Sequence, residues 1–384
     1  MSTPRSLAAL TLAAALLILP APQAVAEEVI TDQHYTTWAN LAEHRSMGLT
    51  GKGVTIAYIE GAPDLSVPEL QGADIEVNNP CNDPGTPRSR AHSTAVVSMI
   101  ANRDWGWAPE AHIINYTIPT ADLETSTAPC PEGMVIESAI HRALDDGVDI
   151  ISISLRISTP KEFRFSLMRA ARMGVPVVVS AGNTGADAHP SSPDDGYSIA
   201  ALNTVVGVGA LTPELQRAEF SSVGDFVTVM APGQDIKVRL PDANGDLTVI
   251  TPRYGTSYAT PMVAGLLALG KQKWPQATGN QLIRSLIATA TPTGEQPNPE
   301  YGYGIINSTT FLNTDPTTFE DSNPLFHRTD DTVTLEAMQD YQDGLLLREQ
   351  VAEDPLYIYR GLDAEAVYRS PEKSHFGTSP RYHR

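Results

Sequence analysis

Four side chains in this 384-residue chain combine into hydrolytic chemistry, in the order acid, imidazole, amide and hydroxyl. Glu60 ends the apolar run "VTIAYIE". His92 opens "HSTAVVSMIAN", whose apolar spacing predicts a helix starting there. Asn183 follows a β-branched run in "VVVSAGNTG", and Ser257 lies in "YGTSYATPMVAGLLAL" between a Gly-Thr turn and a helix. Pro261 is expected in the first turn of that helix, where proline is tolerated. A serine hydroxyl is a weak nucleophile until an imidazole accepts its proton. The imidazole needs an acid on its other nitrogen to fix its tautomer and stabilise the imidazolium. A side-chain amide, together with N–H groups at a helix start, can receive the oxyanion that then develops.

The elements that would position these groups alternate along the chain. "VTIAYI", "HIINYTI", "VDIISISL", "VPVVVSAG", "NTVVGVGA" and "FVTVMAP" are apolar runs without strict alternation, as expected of strands covered on both faces. Between them, "MVIESAIHRAL" carries one apolar stripe and stops before Gly147, and "EFRFSLMRAARMG" repeats the plan and stops at Gly174. Strand–helix alternation implies an α/β fold, a mostly parallel sheet with helices on both faces in one catalytic domain. Sites in such folds gather at the carboxyl ends of strands, where Glu60 and Asn183 fall.

With these stretches in view, the chain resembles the subtilisin-family serine proteases, the subtilases, from about Gly51 to Leu312. "GTSYATP" fits the family's GTSxAxP at every fixed position, and "AGN" with "AEFSSVGDFVTVMAPG" resembles its oxyanion loop and the strand beyond. The resemblance implies Ser257 as nucleophile, His92 as general acid/base, Asn183 as oxyanion donor and Glu60 as the acid that orients His92. It also implies Ser154, Leu155 and Arg156 as the substrate-binding strand. Four positions depart from the family pattern. Glu60 stands where Asp is usual, Ser93 replaces the glycine after His92, Ala95 replaces a frequent second histidine, and Arg156 replaces the glycine of Ser-Leu-Gly. Asp64, four residues past Glu60, is a second carboxylate near the strand end. His112, His141 and His189 are expected to be structural or exposed. About 24 residues separate the expected leader cleavage site from Gly51. That is too few for a folded inhibitory prosegment, and in this the chain resembles the actinobacterial mycosins.

Composition sets the remaining expectations. The net charge of −19 argues against nucleic acid or an anionic membrane as partner. Arg5, the run "LAALTLAAALLILP" and "AVA" before Glu27 read as a secretory signal peptide over residues 1–26. The mature chain is therefore expected to be secreted, with no stable membrane anchor. In an oxidising compartment Cys81 and Cys130 are expected to pair, closing a 49-residue loop that contributes roughly 4 kcal/mol in the chain-entropy account. The catalytic domain is taken as 27–314. Residues 315–384, with 14 acidic against 7 basic side chains, are read as an acidic, partly disordered tail whose partner the sequence does not identify. "TLEAMQDYQDGLLLREQV" within it predicts a helix interrupted at Gly344. "DANGD" at 242–246 starts like a calcium loop but has Arg253 at the twelfth position, so an Asn-Gly hairpin turn is expected instead. No metal site and no cofactor are predicted. The functions compatible with these features are a secreted endopeptidase acting on polypeptide, a catalytically weak or inactive binding protein on the same scaffold, and an esterase or amidase using the same triad.

Overall fold

A computed structural model describes residues 28–80, 82–119, 136–155, 163–185, 199–326, 333–347, 351 and 354–360. The leader, both cysteines of the expected disulfide, Arg156 and His189 lie outside the described residues. Seven strands form one sheet: β1 (Thr55–Glu60), β2 (Ile75–Asn78), β3 (His112–Thr117), β4 (Ile150–Ile153), β5 (Val177–Ser180), β6 (Val205–Leu211) and β7 (Val229–Pro232). Their order is β2-β3-β1-β4-β5-β6-β7, with every neighbouring pair parallel. Both faces are covered, which explains why the apolar runs do not alternate. Ile56 and Tyr58 of β1 point into one core with α2 (Pro87–Ala101) and α5 (Thr256–Lys273). Ala57 and Ile59 point into the other with α3 (Ile136–Asp145) and α4 (Arg164–Met173). The expected α/β architecture is therefore the observed one. β2 has no counterpart among the predicted runs, because this short edge strand, IEVN, is half polar and largely exposed.

Two helix starts differ from expectation, and both bear on the site. α2 begins at Pro87, not at His92. Thr86 caps it by accepting the Ser89 N–H at 3.1 Å, and Pro87 takes the first position. His92 therefore lies in the second turn and is braced on both sides by helix. α5 begins at Thr256, so Pro261 also falls in a second turn. Lacking an N–H, Pro261 leaves the Ser257 carbonyl without its helical donor. The remainder of α5 is buried almost all round, the pattern of a helix running through a core.

β8 (Ile236–Pro241) and β9 (Leu247–Arg253) form the antiparallel hairpin expected around Asn244–Gly245. Asp242 closes its turn by accepting from the N–H groups of Asn244, at 2.8 Å, and Asp246, at 3.1 Å. Among the described residues no group of three His, Cys, Asp or Glu side chains is placed to hold a metal ion.

Part of the acidic segment beyond 314 is firmly docked. α8 (Leu335–Asp343) is capped by Thr334 and stops at Gly344, whose φ of 75° suits a glycine helix end. Tyr341 stacks on Tyr357 at 5.3 Å, and the Arg172 guanidinium lies 4.7 Å over the Tyr341 ring. Asp354 is buried and accepts from Arg172 Nη2 and from the Tyr341 hydroxyl, each at 2.5 Å. Composition concealed this docking because its anchors are two tyrosines and an ion pair, not an apolar run. Burial alone would raise the Asp354 pKa. Arg172, the Tyr341 hydroxyl and Arg169 outweigh it and hold the group below its ordinary value. A depressed carboxylate contributes stability above its unfolded pKa, near 4, and loses it as pH falls through the lower folded value. Asp354→Asn is expected to cost about 3–5 kcal/mol at pH 7, as breaking a buried pair does. The deficit should shrink below about pH 4, which thermal melts across pH 2–7 would measure.

Candidate active site

Three adjacent strands deliver the site from their carboxyl ends. β1 ends on Glu60, β4 leads into Ser154 and Leu155, and β5 leads through Ala181–Gly182 to Asn183. Helices α2 and α5 bring His92 and Ser257 to the same edge. The His92 ring lies beside that of Tyr258, with centroids 6.2 Å apart, so the imidazole stands next to the first turn of α5.

Glu60 is 1% exposed, and its Oε1 lies 3.1 Å from His92 Nδ1. Its other oxygen, Oε2, accepts the Gly61 N–H at 2.9 Å. The contact to His92 has ion-pair distance, but the ring N–H is not aimed squarely at Oε1, which has no well-directed hydrogen bond. Glutamate at this position thus keeps its carboxylate within ion-pair range of the imidazole. Burial works against a charged His92, yet the side chain keeps 31% of its surface. The Glu60 carboxylate, by its charge at close contact, prevails over burial and over Arg88, and the His92 pKa is raised above its ordinary value. Asp64 takes no part. Its Oδ1 is occupied by Ser66, accepting from the backbone N–H at 2.9 Å and the hydroxyl at 2.6 Å.

Asn183 is oriented by the residue next to the nucleophile. Its Oδ1 accepts from both the backbone N–H and the hydroxyl of Thr256, each at 2.9 Å. That fixes the amide and turns Nδ2 the other way. A Cβ placed on Gly255 would lie 3.5 Å from Asn183 Nδ2 and 3.8 Å from the Ser257 nitrogen. The two nitrogens therefore lie near one another, on the side of Gly255 where a side chain would stand. The Ser257 N–H belongs to the first turn of α5, where no intrahelical acceptor exists. The loop itself needs Gly182. Its φ of 108° is outside the usual range of other residues, and a Cβ there would approach Ser222 Oγ to 2.9 Å.

Ser257 is half-buried, and its Oγ donates to the Ser154 carbonyl at 3.0 Å. A turn about one side-chain bond redirects that proton. The contact also brings the nucleophile against the end of β4, the strand singled out for substrate. Leu155 is half-buried beside it, against the α3–α4 core. Residues that motif reading did not single out are Thr256, Tyr58 and Asn115. The signal for the last two was available, since each is a polar side chain inside an otherwise apolar strand.

The fold and this arrangement define a class, a parallel α/β sheet that gathers an acid, an imidazole and a hydroxyl at its carboxyl edge. Residues 51–304 match the subtilase family (Peptidase_S8). The chain belongs to that family. It is 34% identical over 273 residues to Subtilisin NAT of Bacillus subtilis subsp. natto, covering 68% of this chain and 66% of that protein, just under two thirds of its length. It is 30% identical over 315 residues to Mycosin-1 of Mycobacterium tuberculosis, covering 69% and 70%. The solved structure of MycP1 from Mycobacterium smegmatis shares the fold, with a TM-score of 0.60 at 24% identity over 81% of this chain and 92% of that one. The mycosin-like resemblance seen in the sequence is thus matched by a sequence relative, and the solved structure shares the fold.

Proposed function

We propose that this chain is a secreted serine endopeptidase that cleaves polypeptides through Glu60, His92 and Ser257, with Asn183 and the Ser257 N–H as oxyanion donors. The observation that carries the reading is the buried Glu60 carboxylate 3.1 Å from His92, at the strand edge where Asn183 and Ser257 also stand. In the reaction, His92 accepts the Ser257 proton as Oγ attacks the scissile carbonyl, and the carbonyl oxygen takes the negative charge. Asn183 Nδ2 and the Ser257 N–H hold that oxygen. The His92 proton then passes to the leaving amine as the C–N bond breaks, leaving an acyl-enzyme. Water, deprotonated by His92, releases the acid and restores Ser257. Secretion rests on the leader-like residues 1–26, and no described helix is long and apolar enough to cross a membrane.

A catalytically weak binding protein is the second reading. It is favoured by the Ser257 hydroxyl lying on the Ser154 carbonyl and by the oblique Glu60–His92 contact. A fluorophosphonate probe separates the two. Covalent labelling of the wild-type protein that Ser257→Ala abolishes is the expected result. A folded wild-type protein that takes no label would exclude the enzyme reading, and hydrolysis of esters without peptides would point to an esterase.

A further inference from the structure

The hydroxyl of Ser93 behaves unlike those of Thr94 and Ser98 on the same helix. A serine or threonine within a helix ordinarily donates to the carbonyl four residues back. In α2, Thr94 does so to Arg90 at 2.6 Å and Ser98 to Thr94 at 2.7 Å. Ser93, fully buried and next to Thr94 in sequence, turns away from its helix and donates across to the Gly61 carbonyl. Tyr58, two residues before Glu60, donates its hydroxyl proton to the Ser93 carbonyl at 2.7 Å and lies 2.9 Å from Ser93 Oγ. Asn115 of β3 supports the same corner, with Nδ2 at 3.2 Å from the Tyr58 carbonyl and 3.4 Å from that of Gly61. Asn115 is held in turn by Thr117, whose hydroxyl donates to its Oδ1 at 2.6 Å.

These bonds meet at the residues flanking the acid and the imidazole. Gly61 follows Glu60, and Ser93 follows His92. The Gly61 N–H holds Glu60 Oε2, while the Gly61 carbonyl is held by Ser93. One residue is thereby clasped on both sides, and the spacing between the β1 end and α2 is fixed through it. Glutamate is longer than aspartate by one C–C bond, about 1.5 Å, and a misplacement of about 1 Å in a catalytic constellation can cost on the order of 100-fold. The acid position therefore needs a specific strand-to-helix spacing, and a glycine at 93 would supply no hydroxyl to set it.

From this geometry we infer that Ser93 is a positioning residue that, with Tyr58, sets the β1–α2 spacing at which a glutamate, in place of an aspartate, meets His92. The inference rests on the proposed roles of Glu60 and His92. Three variants of the mature protein test it: Ser93→Ala, Tyr58→Phe and Glu60→Asp, with the double variant of the first and last. The readouts are kcat, KM and the His92 titration midpoint by NMR, which needs no turnover. Ser93→Ala is expected to lower kcat about 10-fold with KM within about twofold, an effect of partial misplacement. It should also move the His92 midpoint down as Glu60 slips away. Adding Ser93→Ala to Glu60→Asp should cost less than it does alone, because coupled residues are not additive. An unmoved His92 midpoint in both Ser93→Ala and Tyr58→Phe, or losses that simply multiply in the double variant, would overturn the inference. A wild-type protein that takes no fluorophosphonate label would sink the protease reading instead, with the His92 midpoints still deciding the role of Ser93.

Discussion

Glu60→Gln is expected to lower kcat on the order of 10⁴-fold, the effect of turning the orienting acid of a serine protease into an amide. The amide keeps the length of glutamate, so the loss reports charge and tautomer, not reach. Glu60 is buried and has Oε1 3.1 Å from Nδ1 of His92. Its carboxylate favours the tautomer that leaves Nε2 free to take the serine proton, and it stabilises the imidazolium that results. Glutamine offers an N–H to the same nitrogen and favours the wrong tautomer. The pH profile should move as well. His92 must be neutral to act as base, and Glu60 now holds its pKa above the ordinary value. Removing that charge lowers the pKa, so the acid limb of kcat/KM shifts to lower pH while the plateau falls. Steady-state kinetics across pH 4–9 would measure both changes. An unchanged kcat would show that the acid is not used. Glu60→Asp should fall between the two, because the charge is kept and the reach is lost.

Asn183→Ala should reduce kcat about 10²–10³-fold with little change in KM, as loss of one oxyanion donor does. The asymmetry between the constants follows from timing. In the proposed mechanism Asn183 Nδ2 meets charge that develops only in the transition state, so the ground-state complex uses it little. Thr256 already saturates Oδ1 with two bonds at 2.9 Å, which orients the amide before substrate arrives. A rise in KM with kcat preserved would instead identify Asn183 as a substrate-binding group. Asn183→Asp is a useful companion, since a negative charge at that point should be at least as damaging as alanine.

The sheet was legible because its strands are β-branched runs buried on both faces, and one such run per strand suffices to reveal the order of elements. The strand that escaped, β2, is a short edge element with too few apolar residues to register. Helix starts were read one turn late at α2, where the Thr86–Pro87 cap lies ahead of the apolar pattern, and slightly late at α5. Ser257 and Asn183 were legible from local motifs. What no local pattern conveys is the cross-chain wiring. Ser93 looks like a mere departure from a usual glycine until Gly61 and Tyr58 are brought against it from a different element. The docking of Tyr341 and Asp354 onto α4 is hidden for the same reason, since its partners lie more than a hundred residues upstream.

That docking separates two meanings of a domain boundary. The family match spans residues 51–304, whereas the interior charge cluster around Arg172 is completed only at Asp354. A chain trimmed at residue 304 would keep every group of the candidate site, yet take a carboxylate out of the protein's interior. The stretch that identifies the family and the unit that is thermodynamically whole therefore have different lengths.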